Sequence, residues 1–137
     1  MTRVPNVLLI CLHGSAKSVI AAEHLTRLAA SRGIEVHAMS AGMEPDAEIP
    51  RHVVDGLLED GIDVQGQLPR RVTPDMVRDA DWVVSFGCQL FEVVSRTERM
   101  SYWDDVPAVS EGYSVARRSI VNHLHGLIDK IAVSSKQ

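Results

Sequence analysis

Hydrophobic and polar positions fall along the chain in blocks that read strand, helix, strand, helix. Val7-Leu8-Leu9-Ile10 is a continuous apolar run, the pattern of a parallel strand covered on both faces. Beyond it Val19, Ile20, Leu25, Leu28 and Ala29 recur at helical spacing, and Gly33 supplies a stop. Val36 to Ala41 reads as a second short strand, closed by Gly42. Pro50 opens a second helix, with Val53, Val54, Leu57 and Leu58 on its apolar face and Gly61 at its end. Thr73-Pro74-Asp75 combines a capping hydroxyl, a first-turn proline and an acid near the positive end of the helix dipole, which predicts a third helix. Trp82 to Phe86 is a third buried strand and Arg99 to Trp103 a fourth. Tyr113, Ala116, Ile120, Leu124, Leu127, Ile128 and Ile131 share one face of a closing helix, and Ser134 to Gln137 look frayed.

This alternation predicts a single α/β domain over 1–133, with 134–137 as a frayed C-terminus, and a mainly parallel sheet joined by right-handed crossovers. No internal repeat, low-complexity tract or linker divides it. In such sheets ligands sit beyond the carboxyl ends of the strands, at a switch point in strand order. The first strand runs directly into Cys11-Leu12-His13-Gly14-Ser15-Ala16-Lys17-Ser18, where a helix begins. The chemistry is expected there.

Composition narrows the classes. A chain of 137 residues, 45% hydrophobic and 23% charged, is one ordinary globular domain rather than a disordered one. A formal net charge of -4 argues against nucleic acid as the partner. No apolar run approaches the roughly 20 residues that span a bilayer, so no membrane partner is expected. The two cysteines, Cys11 and Cys88, are too few for a secreted disulfide framework. The N-terminal apolar run is too short for a signal peptide, so a reduced cytoplasm is the expected location. His123 and His125 lack the spacing of a helical metal pair. They read with His24 and His37 as surface histidines, and no metal or cofactor is expected.

A strand-to-helix loop containing a glycine turns several backbone N–H groups toward one point, and the positive end of the helix dipole adds to them. Such a loop binds anions. A cysteine at its mouth shares that field, which favours the thiolate, the form that attacks phosphorus or arsenic. The amides of Leu12, His13, Gly14, Ser15, Ala16 and Lys17 are therefore candidate oxyanion donors. Gly14 supplies the positive φ that a tight cradle needs, Lys17 a positive charge, and Ser18 a hydrogen bond to the sulfur. The His13 side chain is expected to point outward while its N–H serves the cradle.

With these residues in view, the chain resembles the low-molecular-weight protein tyrosine phosphatases and the arsenate reductases that share their fold. Their loop reads C-x5-R-[ST] directly after the first strand, and here Cys11 to Ser18 reads C-x5-K-S. Ser40-Ala41-Gly42, Arg71-Val72-Thr73-Pro74, Asp79-Ala80-Asp81-Trp82-Val83-Val84 and Trp103-Asp104-Asp105-Val106-Pro107 follow in the family's order, the last at its aspartate loop. The resemblance implies a four-stranded, mainly parallel sheet flanked by helices in three layers. It also implies a Cys11 nucleophile that forms a covalent adduct with phosphate or arsenate. Cys88 lies where several of the reductases place the second cysteine, which resolves that adduct by forming a disulfide. Gln89 to Pro107 carries no third cysteine, so a glutathione-like thiol or thioredoxin would reduce the pair.

Two departures bear on activity. Lys17 stands where the family has arginine, whose planar fork grips two oxygens where lysine is a hydrated point charge. The exchange is expected to cost transition-state stabilisation, about 2–4 kcal/mol by analogy with one lost oxyanion donor. Ala108 and Val109 occupy the positions of the family's Asp-Pro acid when Val106-Pro107 sets the register, and losing a general acid costs roughly 10²–10⁴-fold. Asp104 or Asp105 substitutes if the loop is shifted, Asp105 being the candidate acid. Ester hydrolysis needs a protonated leaving group more than arsenate reduction does. An arsenate reductase-like enzyme is thus the leading expectation. The alternatives are a phosphatase acting on phosphate monoesters through a cysteinyl-phosphate, and an inactive protein that binds oxyanions.

Overall fold

The computed structural model describes residues 4–87 and 99–135. Four parallel strands, β1 (Asn6–Cys11), β2 (His37–Gly42), β3 (Trp82–Ser85) and β4 (Met100–Tyr102), pair in the order β2-β1-β3-β4. Helices α1 (Lys17–Ser31), α2 (Arg51–Glu59), α3 (Pro74–Asp79) and α4 (Tyr113–Ser135) flank them, with a 3₁₀ turn at Val109–Glu111. The expected three-layer α/β architecture is what the chain adopts. The predicted strands for 36–41, 82–86 and 99–103 differ from the observed ones only by a residue at their ends, where backbone pairing gives way to turns. The last helix extends to Ser135, two residues past the expected boundary at 133. No helix among the described residues is long and apolar enough to cross a membrane.

The apolar run in β1 is explained by its central place. Val7, Leu9 and Cys11 face the main core with α1, α2 and α4, while Leu8 and Ile10 face a smaller cluster with Val77, Ala80 and Val83. Residues of alternating parity thus serve opposite faces, as the pleat requires. The Thr73 side chain accepts from the Met76 N–H and starts α3, as its sequence predicts. Strand order reverses at β1, whose neighbours are β2 on one side and β3 on the other, so the switch point lies at the end of β1. Cys11 is the last residue of that strand.

The helical layer is tied by one acid. Asp60, the C-cap of α2, accepts from Tyr113 Oη at 2.7 Å, Arg117 Nη1 at 2.6 Å and His24 Nε2 at 3.2 Å, and Arg27 donates to its carbonyl. His24 is therefore buried and paired rather than a surface histidine, a correction to the sequence reading, whereas His37 and His125 are exposed as expected. Burial holds His24 below its ordinary 6.5. Burial also pushes Asp60 up, but the hydrogen bonds from Tyr113 and Arg117 and the charge of Arg117 outweigh it, and the carboxyl stays below its ordinary 3.8. Each group has a lower pKa folded than unfolded, so the unfolded chain binds more protons and stability is lost as pH falls. Tm should decline from about pH 6.5 downward through His24 and fall further below about pH 3.8 through Asp60. In Asp60→Asn, calorimetry across pH should show a lower Tm at neutral pH and a weaker dependence at the acid end.

Candidate active site

The loop between β1 and α1 is held open by the segment that follows β2. Met43, Glu44 and Asp46 donate their N–H groups to the carbonyls of Cys11 (3.3 Å), Leu12 (2.7 Å) and His13 (3.1 Å). Those carbonyls therefore turn outward. Among the described residues, no protein group accepts from the amides of Leu12, His13, Gly14, Ser15 or Ala16. Gly14 and Ser15 are buried, and buried amides without partners are rare in folded proteins. Ala16 is the N-cap of α1 and no side chain caps that end, so the first-turn donors also face the loop. The chain presents a set of donors with the positive end of a 15-residue helix behind them.

Gly14 has φ +61°, and a Cβ there would lie 2.6 Å from the amide nitrogen of Gly42. Reciprocally, a Cβ on Gly42 would lie 2.5 Å from the nitrogen of Gly14. The parallel register that sets Cys11 opposite Gly42 creates this contact. Side chains on both partners are excluded, and the loop lies directly against the end of β2.

Cys11 is 7% exposed, and its Sγ lies 3.0 Å from the Oγ of Ser18, which is fully buried. When the sulfur is ionised, Ser18 donates to it. The Ser15 hydroxyl donates to Asp46 Oδ2 at 2.7 Å, so Ser15 offers the cradle its amide alone. His13 points its ring outward, as expected, with Nδ1 3.2 Å from the Glu44 carbonyl and 3.6 Å from Asp46 Oδ1. Asp46 thus braces two loop residues, a role that no local motif announces in Glu44-Pro45-Asp46.

Lys17 and Asp105 are engaged differently from the sequence expectation. Lys17 Nζ donates to the carbonyl of Val106 at 2.9 Å, joining the start of α1 to the segment after β4. Asp105 is exposed and accepts from His123 Nε2 at 2.8 Å. That hydrogen bond holds its carboxyl below the usual carboxylate range. Its carboxylate is turned to His123 of α4. The ring of His123 also stacks on Trp103, centroids 4.7 Å apart and 13° from parallel, and Phe86 meets Trp103 edge-on at 5.5 Å. His123 is therefore a packed residue, a second correction to the surface reading. Cys88 lies outside the described residues.

The chain is similar to several proteins of known structure. YfkJ of Bacillus subtilis superposes with a TM-score of 0.82, at 21% identity, covering 96% of this chain and 97% of that one. A thioredoxin-dependent arsenate reductase of Corynebacterium glutamicum is 30% identical, with a TM-score of 0.73, over 96% of this chain and 63% of its own. A low molecular weight protein tyrosine phosphatase of T. tengcongensis gives 0.74 at 19% identity, over 95% and 99%. Phosphatase and reductase relatives thus share this scaffold, as the sequence resemblance implies. The order of landmarks, the strand order and the loop at the end of β1 agree with a family model matched over residues 6–109, and the chain belongs to the low molecular weight phosphotyrosine protein phosphatase family.

Proposed function

We propose that the protein is a cysteine-dependent arsenate reductase, working on an oxyanion held by residues 11–18. The observation that carries this reading is the set of Leu12 to Ala16 amides, unpaired among the described residues, beside a cysteine sulfur that Ser18 supports. The identity to the Corynebacterium reductase agrees with it. The Cys11 thiolate attacks arsenic, forming an S–As bond as an As–O bond breaks, and the hydroxide released is protonated by solvent. A second thiolate, Cys88, then attacks the Cys11 sulfur. The S–S bond forms, the S–As electron pair passes to arsenic, and As(V) leaves as As(III) arsenite. An external thiol, glutathione-like or thioredoxin, returns both cysteines to the reduced state. A cytoplasmic location suits that cycle.

Cys88 directly follows Gly87, two residues beyond β3, and Ser85 of β3 is in register with Ile10 of β1. The chain therefore leaves β3 at the same end of the sheet as Cys11, which is what a resolving role requires. Asp105 is left out of this mechanism. Its hydrogen bond to His123, which turns the carboxylate toward α4, favours a reaction that releases hydroxide from arsenic over one that must protonate an ester oxygen.

Parallel assays of one preparation test the proposal. With a thiol reductant, arsenate should be turned over, while an aryl phosphate is hydrolysed more slowly by roughly two decades or more, the usual loss without a general acid. Faster hydrolysis of aryl phosphate than reduction of arsenate would assign the protein to the phosphatases. Turnover on neither, with phosphate still slowing Cys11 alkylation, would make it an oxyanion-binding protein.

A further inference from the structure

The segment between β4 and the 3₁₀ turn is fastened at two points by groups from different elements. Lys17, the first residue of α1, holds the Val106 carbonyl at 2.9 Å. His123 of α4 holds Asp105 at 2.8 Å and stacks on Trp103. The two fastenings are unequal in kind. The second joins Asp105 and Trp103 to a side chain of α4. The first uses the ammonium of the oxyanion loop itself.

A carbonyl oxygen carries a partial charge, whereas a tetrahedral dianion presents full charges to the same ammonium. The lysine head is compact, on a stem of flexible torsions rooted at the edge of the cradle. An anion arriving among the amides of Leu12 to Ala16 therefore competes with Val106 for Lys17. We propose that Lys17 is an exchangeable tether. In the free protein it positions the 103–107 segment, and on anion binding it transfers its hydrogen bond to the anion and releases the Val106 end. The segment is then held through Asp105, His123 and the Trp103 stack alone. This inference rests on the oxyanion-binding reading of the loop and adds a coupling between occupancy of the loop and the state of its neighbour. Lys17 acts on the segment as a positioning residue before it acts on the anion.

Trp103 is the reporter. The chain has two tryptophans, so Trp82→Phe leaves Trp103 as the only one, and Cys88→Ser leaves Cys11 as the only alkylation site. Inorganic phosphate is titrated into this parent protein while Trp103 emission and the rate of Cys11 alkylation are followed together. Both should change and saturate at the same phosphate concentration. In Lys17→Met, emission without phosphate should already match the saturated parent, and protection of Cys11 should need about tenfold more phosphate. Lys17→Gln keeps a neutral donor for Val106 and offers the anion no charge, so its emission should stay at the phosphate-free level. Protection of Cys11 with silent Trp103 in the parent would overturn the tether alone, as would parent-like responses in both variants. Phosphate that fails to protect Cys11 at any concentration would remove the oxyanion reading and the tether with it.

Discussion

Cys11→Ser should lower turnover of arsenate and of aryl phosphate by more than about 10⁴-fold, the scale seen when a nucleophile is removed from a site whose binding groups remain. The reason lies in what surrounds the sulfur. Among the described residues, Ser18 is the side chain that bonds it, and a hydroxyl donor stabilises a thiolate without deprotonating an alcohol. A serine oxygen at position 11 would stay protonated and inert. The amides proposed to hold the anion are backbone groups and survive the change, so phosphate should still raise Tm in Cys11→Ser. Cys88→Ser separates the chemistries. Reductant-dependent arsenate turnover should fall to background, while anion binding and any aryl phosphate hydrolysis persist. Undiminished arsenate turnover in Cys88→Ser would remove the resolving role.

Gly42→Ala should damage the site through a single methyl group. Its Cβ would lie 2.5 Å from the Gly14 nitrogen and 2.7 Å from the carbonyl carbon of His13, both backbone atoms that cannot rotate away. Overpacking of this kind costs about 1–3 kcal/mol, and the loop must move to relieve it. Gly14→Ala meets the same contact from the other side and adds the left-handed penalty of about 1–2 kcal/mol. For a domain of this size the Tm should drop on the order of 10 °C, and phosphate should no longer slow Cys11 alkylation. Gly33→Ala is the control. Its φ is +71° but nothing lies within 4 Å of its Cβ, so it should show the left-handed penalty alone, with phosphate protection intact. Equal losses in Gly33→Ala and Gly42→Ala would show that backbone crowding at the loop is not what matters.

What the sequence made legible was local. The four-residue run at Val7 to Ile10, the Thr73-Pro74-Asp75 start and the apolar stripe from Tyr113 to Ile131 each state their element in a few neighbouring residues, and each formed as read. The candidate loop was legible for the same reason, since Cys11 to Ser18 is contiguous. The partners that decide what its side chains do lie far away in the chain. Lys17 finds Val106 across 89 positions, Ser15 finds Asp46 across 31, and His24 finds Asp60 across 36. No spacing rule reaches that far, so Lys17 read as a charge for the anion alone and His24 as solvated. Asp105 is the sharpest case. Its sequence position nominates an acid, and its hydrogen bond to an imidazole on the following helix follows from no spacing near it. Gly42 was visible as a landmark, but its contact with Gly14 follows only from the register of β1 and β2.

The family match stops at residue 109, yet the helix that begins at Tyr113 supplies the imidazole behind Trp103 and two of the groups that grip Asp60. A chain cut at the end of the matched region would therefore lose the His123 stack on Trp103 while keeping residues 11–18. Such a shortened polypeptide would bare Ile20, Leu25 and Val53 to water, since these now pack in one cluster with Ile120, Leu124 and Ile128. Minimal boundaries for this protein are set by burial on the face of the sheet that α1, α2 and α4 cover, and the smallest useful piece runs through the final helix.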